Sequence, residues 1–101
     1  MPDKTLTVVA RFKAKAGKEA QLRGELLKLI SPTRSEEGCV NYDLHESSEH
    51  PGEFLFYENW TSQEALDKHL QAPHVKSLLG KSDQLVAEQP EITLWNQIDQ
   101  R

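Results

Sequence analysis

Residues 38–60 read GCVNYDLHESSEHPGEFLFYENW, and the fold of the whole chain turns on how this stretch pairs. Two strand-like runs, GCVNYDLHE and EFLFYENW, flank the turn-forming SSEHPG. Together they read as an antiparallel hairpin. With the turn centred on Glu49 and His50, Cys39, Asn41, Asp43 and His45 lie opposite Trp60, Glu58, Phe56 and Phe54. Side chains alternate along a strand, so those eight would share one face. Val40, Tyr42, Leu44, Leu55, Tyr57 and Asn59 would share the other. A shift of one residue in register would change both sets.

Upstream of the hairpin, LTVVARFKAKAG alternates at Leu6, Val8, Ala10, Phe12 and Ala14 before Gly17, which predicts a strand with one buried face. KEAQLRGELLKLISPT follows, with Leu22, Leu26, Leu29 and Ile30 at helical spacing, an amphipathic helix ended by Pro32. Downstream, Thr61 and Glu64 match a capping box that starts a helix through about Leu70. Pro73 suits the first turn of a further short helix carrying Val75, Leu78 and Leu79, and EITLWNQI closes the chain as a strand. The order β-α-β-β-α-β, with one extra helix, is the ferredoxin-like split βαβ plan of the α+β class. It implies a single domain over residues 1–101, a four-stranded antiparallel sheet and helices on one sheet face. The bare face calls for a cover, and a homodimer packed sheet on sheet supplies one.

Composition narrows the partners. Twelve Lys and Arg against sixteen Asp and Glu give a net charge of −4, with the charges scattered. No clustered basic face for nucleic acid and no basic amphipathic helix for a membrane surface is expected. No apolar run reaches membrane-spanning length, and the first strand starts too early for a leader, so the expected location is cytoplasmic. The one cysteine, Cys39, makes neither an internal disulfide nor a zinc site alone and is expected to be a buried structural thiol.

The mixed hairpin face of aromatics, His45 and Glu58 is costly to bury unless its polar groups are paired, and it resembles the wall of a small-molecule pocket. His69 lies on the apolar stripe of its helix, near Leu66, facing the sheet. It is either a satisfied core residue or a pocket residue. His74, just after Pro73, reads as structural, and His50 as a solvated turn residue. His69 and His74 are five apart across a proline and do not form the i, i+4 pair of a helical zinc site. His45 with Glu58 lacks an evident third ligand, so no metal and no cofactor site is expected. No phosphate loop or nucleophile elbow is present.

GCVNYDLHE, the ENW closing the third strand, and ALDKHLQAPHVKSL together resemble the antibiotic biosynthesis monooxygenase (ABM) superfamily, in particular its small bacterial quinol monooxygenases. The resemblance implies a dimeric α/β barrel that oxidises quinols or related polyphenols with O2 and no cofactor. It implies a pocket lined by His45 and Trp60, the positions that match a histidine late in the second strand and a tryptophan ending the third. An asparagine and a tyrosine of polyketide-oxidising relatives are Phe56 and Leu66 here, which points away from a tricyclic substrate. The haem-degrading relatives' asparagine and histidine fall at Ala10 and near Leu79, which points away from haem. An autoinducer-processing relative shares the His69 and His74 pattern.

On this resemblance the expected catalytic residues are His45 as base, with Glu58, Trp60 and His69 as polar and stacking partners. Phe54, Phe56, Asn41, His74 and Leu66 are expected against an aromatic substrate. The alternatives are an isomerase or lyase of a small oxygenated metabolite, and a non-catalytic dimer that binds a small molecule.

Overall fold

A computed structural model describes residues 5–99. The elements run β1 (Leu6–Lys13), α1 (Glu19–Leu27), α2 (Ile30–Arg34), β2 (Cys39–Glu46), β3 (Glu53–Trp60), α3 (Gln63–Gln71), α4 (Pro73–Leu85) and β4 (Glu91–Trp95). The four strands form one open antiparallel sheet in the order β2-β3-β1-β4. This is the expected ferredoxin-like α+β fold. Val8, Ala10, Phe12 and Ala14 put the apolar face of β1 under the helices, and Leu22 and Leu26 of α1 close over it. Burying the Val8, Phe12, Leu22 and Leu26 side chains contributes about 1.5–3 kcal/mol each, which fixes the face that β1 presents.

Three local expectations change. First, Pro32 does not follow the last residue of the first helix directly but sits in the first turn of a separate short helix, α2. A proline ring clashes with the carbonyl four residues earlier, here Lys28, so α1 stops at Leu27 and the chain restarts at Ile30. Second, the cap of α3 is Ser62 rather than Thr61: its hydroxyl accepts from the Ala65 amide at 3.1 Å. Third, α4 runs for 13 residues from Pro73, longer than a short helix.

The hairpin register carries the largest consequence. Cys39 pairs with Trp60 as expected, but a bulge at Val40 slips the rest of β2 by one, so Asn41 meets Asn59, Tyr42 meets Glu58, Leu44 meets Phe56 and His45 meets Leu55. A bulge inserts one unpaired residue, and with period-two side chains that single insertion exchanges the faces. Phe54, Phe56, Glu58 and Trp60 do share the helix-covered face, but their neighbours on β2 are Tyr42 and Leu44. Asn41, Asp43 and His45 lie on the open face instead.

Gly38 leads into this bulge at φ 90°, and its carbonyl accepts from the Thr61 amide at 2.9 Å. A Cβ at Gly38 would overlap the Cβ of Ala65 on α3. Gly38→Ala is therefore expected to lower unfolding free energy by roughly 2 kcal/mol, through left-handed strain and overpacking. Gly24→Ala, inside α1 with open space around it, is expected to raise it by about 0.5–1 kcal/mol. Denaturant melts of the two variants check the opposite signs.

Candidate active site

Between the sheet and helices α3 and α4 lies a cavity of about 30 Å³, lined by Tyr42, Phe56, Glu58, Leu66, His69 and Leu78 among others. Its rim includes Leu79 and Ile92, both partly exposed. As it stands, this volume holds a water or a dioxygen molecule. A flat ring enters only if the apolar rim parts.

β3 supplies the floor. Glu58 and Trp60 are two residues apart on one strand and therefore point the same way. The Trp60 indole N–H donates to Glu58 Oε1 at 2.9 Å. Trp60 is fully buried and Glu58 only 3% exposed. Burial raises the Glu58 carboxyl to about 7, opposed by the indole hydrogen bond and assisted by the negative charge of Glu36. The carboxyl is thus poised to hold or release a proton near neutral pH.

α3 supplies the roof. His69, in its last turn, is 4% exposed and tilts over Trp60 with ring centroids 4.6 Å apart. Tyr42 meets it edge-on at 5.4 Å and stacks on Phe56 at 4.2 Å. The Tyr42 phenol is pushed well above its usual range, first by burial and then by Glu58, so it stays protonated. Burial likewise pushes His69 down, against the pull of Glu36, which leaves a neutral imidazole.

The loop after α2 supplies a residue that sequence reasoning did not single out. Glu36 Oε2 lies 3.0 Å from His69 Nδ1 and 2.7 Å from His74 Nε2. A carboxylate oxygen accepts, so both nitrogens donate. With its proton on Nδ1, neutral His69 has Nε2 free as an acceptor. His74 Nε2 also lies 3.1 Å from the hydroxyl of Thr33, which is completely buried. Glu36, and not Glu58, is the glutamate that orients His69.

The structure thus brings Glu58, His69, Phe56 and Leu66 to the cavity wall, with Trp60 buried behind Glu58 and His69, and with His74 two hydrogen bonds from His69 through Glu36. Tyr42, expected on a plain packing surface, joins them. His45 and Asn41 do not: the bulge turns both to the opposite face. Asn41 there accepts from Asn59 at 2.9 Å and donates to Asp43 at 3.1 Å. His45 borders a larger open hollow of about 440 Å³ at the hairpin end, beside Arg11, Lys13, His50 and Phe54. That hollow has room for a ring, but it is lined by charges of both signs and lies away from Trp60 and His69. Phe54 is buried in the core and reaches only its edge. Cys39 is half-buried, and its thiol is pushed up by burial, as suits an inert thiol.

The family model described as antibiotic biosynthesis monooxygenase matches residues 5–79. The chain is 34% identical over 95 residues to the protein named "Putative monooxygenase Rv0793" of Mycobacterium tuberculosis, covering 94% of this chain and 93% of that one. It is 33% identical over 93 residues to an uncharacterized protein of Synechocystis sp., covering 92% of this chain but 63% of that longer relative. The solved structure of the Mycobacterium tuberculosis protein superposes with a TM-score of 0.89 at 33% identity, covering 95% of this chain and 97% of that one. PA3566 from Pseudomonas aeruginosa gives 0.90 at 28% identity, covering 95% and 96%.

Proposed function

Because this chain belongs to the antibiotic biosynthesis monooxygenase family, we propose that its buried cavity oxidises a quinol or related phenol with O2 and no cofactor. The observation that carries this reading is the pairing of a neutral, anchored imidazole with a carboxyl raised to about 7, both against Trp60. Two groups whose surroundings move their proton affinities in opposite directions are suited to take a proton and to give one.

Dioxygen is a triplet and reacts slowly with closed-shell molecules, but a phenolate is a good one-electron donor. In the proposed sequence His69 Nε2 takes the hydroxyl proton while the ring rests against Tyr42, Phe56 and Leu66. The anion passes one electron to O2, and the two radicals combine at a ring carbon that bears hydrogen. Glu58 protonates the resulting peroxide. Loss of the ring C–H proton with cleavage of the O–O bond leaves a carbonyl and releases water. A quinol and O2 thus give a hydroxyquinone and water, with every atom accounted for. A cavity closed to bulk water strengthens each polar contact along the way.

The same reading has a second copy of the chain cover the open sheet face. Tyr57 and Trp95 are 44% and 57% exposed there, beside half-buried Val9 and Leu55.

Oxygen uptake with a panel of reduced quinols tests the activity, comparing native protein, His69→Ala, His45→Ala and quinol autoxidation. Uptake above autoxidation that falls in His69→Ala and persists in His45→Ala is the expected result. The reverse pattern would move the chemistry to the hollow at the hairpin end. Turnover of an oxygenated metabolite that persists under nitrogen would replace the oxygenase by an isomerase or lyase.

A further inference from the structure

We propose that Glu36, His69 and His74 form a site for a zinc-like divalent cation. Glu36 Oε2, His69 Nδ1 and His74 Nε2 all lie within 4.8 Å of one another, and among the described residues no other group of three or more such ligands converges. The three come from separate segments: the loop after α2, the last turn of α3 and the first turn of α4. Spacing along the chain argues against a site, because His69 and His74 are not on one helix. The fold supplies what spacing lacks. Ala72 at ψ 144° breaks α3 from α4 and turns the two rings toward one carboxylate.

Two imidazoles and one carboxylate are a donor set that zinc takes in open sites, with a fourth position left to water or a small ligand. Oxygen-preferring magnesium and calcium are disfavoured by two nitrogen donors in three. Tetrahedral zinc with bonds of about 2.0–2.1 Å holds its ligand atoms about 3.3 Å apart. The present separations of 3.0 and 2.7 Å from Glu36 are hydrogen-bond lengths that must lengthen by a few tenths of an ångström. The two ring nitrogens, now within 4.8 Å of each other, must come to the same spacing as the zinc binds. Each bound nitrogen gives up its hydrogen, which moves to the other nitrogen of the same ring. The buried Thr33 hydroxyl, 3.1 Å from His74 Nε2, stands ready to hydrogen-bond a water in the fourth position. His74 and Glu36 are 23% and 18% exposed, so a cation has a way in from solvent.

On the reading of His69 as base, which this consequence alone rests on, zinc at Nδ1 puts the proton on Nε2 and removes the acceptor from the cavity. The cation would then inhibit the oxidation.

Chelator-treated protein titrated with Zn2+ against a chromophoric chelator tests the site without any turnover. The expected result is one zinc per chain, weakened at least about tenfold in His74→Ala, in His74→Gln and in Glu36→Ala. His45→Ala, His50→Ala and Cys39→Ser should bind as the native protein does. Zinc should raise the melting midpoint of the native protein and leave that of His74→Gln unmoved. Native affinity retained in both His74 variants, or lost in Cys39→Ser or His45→Ala, would overturn the site. Tight zinc binding with undiminished oxygen uptake would keep the site and remove His69 as base.

Discussion

His69→Ala is expected to lower kcat for quinol oxidation by about 10²–10⁴-fold, the usual worth of general-base help, with much less change in KM. The asymmetry follows from where His69 acts. The apolar wall that a bound ring would meet, Tyr42, Phe56 and Leu66 among it, is left in place by the substitution. What disappears is the acceptor that removes the hydroxyl proton, and that is needed only on the way to the transition state. Glu36→Gln tests the same assignment from behind. An amide can present either oxygen or nitrogen to His69 Nδ1, so the ring loses its fixed tautomer while the packing stays. Glu36 is a positioning residue, and its loss should lower kcat by about tenfold with KM held. Steady-state oxygen uptake read as separate kcat and KM values checks both variants, with circular dichroism showing that each is folded. Equal kcat in native protein and His69→Ala would remove His69 from the chemistry.

The fold was legible because its evidence is periodic and local. Alternation at Val8, Ala10, Phe12 and Ala14, and helical spacing at Leu22 and Leu26, each specify an element and its buried side. The site was legible in part. Glu58 and Trp60 share a face whatever the pairing, because they sit two apart on one strand, and His69 follows from the apolar stripe of α3. His45 and Tyr42 exchanged places because one bulged residue, Val40, reverses the side on which all later residues of β2 fall. Nothing in the composition of GCVNYDLHE marks that insertion; Gly38, with its positive φ, is the nearest local sign. Glu36 could not be found from the chain at all. It is a loop glutamate among neighbours such as Ser35 and Glu37, and it meets His69 across 33 positions of sequence only once the helices are packed.

Glu58→Gln should change how stability depends on pH, by roughly 3 kcal/mol across the neutral range. The Glu58 carboxyl sits at about 7 in the fold against 4.5 as an ordinary glutamate. Between those values the folded chain keeps a proton that the unfolded chain has released. Stability therefore falls as pH rises, because the native state binds more protons in that window. The contribution is fully present below about pH 4.5 and is lost as pH passes through about 7. Each pH unit of displacement is worth about 1.4 kcal/mol, which gives roughly 3 kcal/mol for the whole interval. Glutamine keeps an oxygen to accept from the Trp60 indole N–H but has no charge to bury. The unfolding free energy of native protein minus that of Glu58→Gln should thus decline from pH 4.5 to pH 8 and level off on either side. Denaturant melts of both proteins with chelator present, which keeps cations off Glu36, give that difference directly. A difference flat with pH would mean that Glu58 titrates as an ordinary carboxylate, and the cavity would then lack its proton donor near neutrality. A decline that begins near pH 4.5 and ends as pH passes through about 7 would fix the charge state of the carboxyl against which a phenol is proposed to bind.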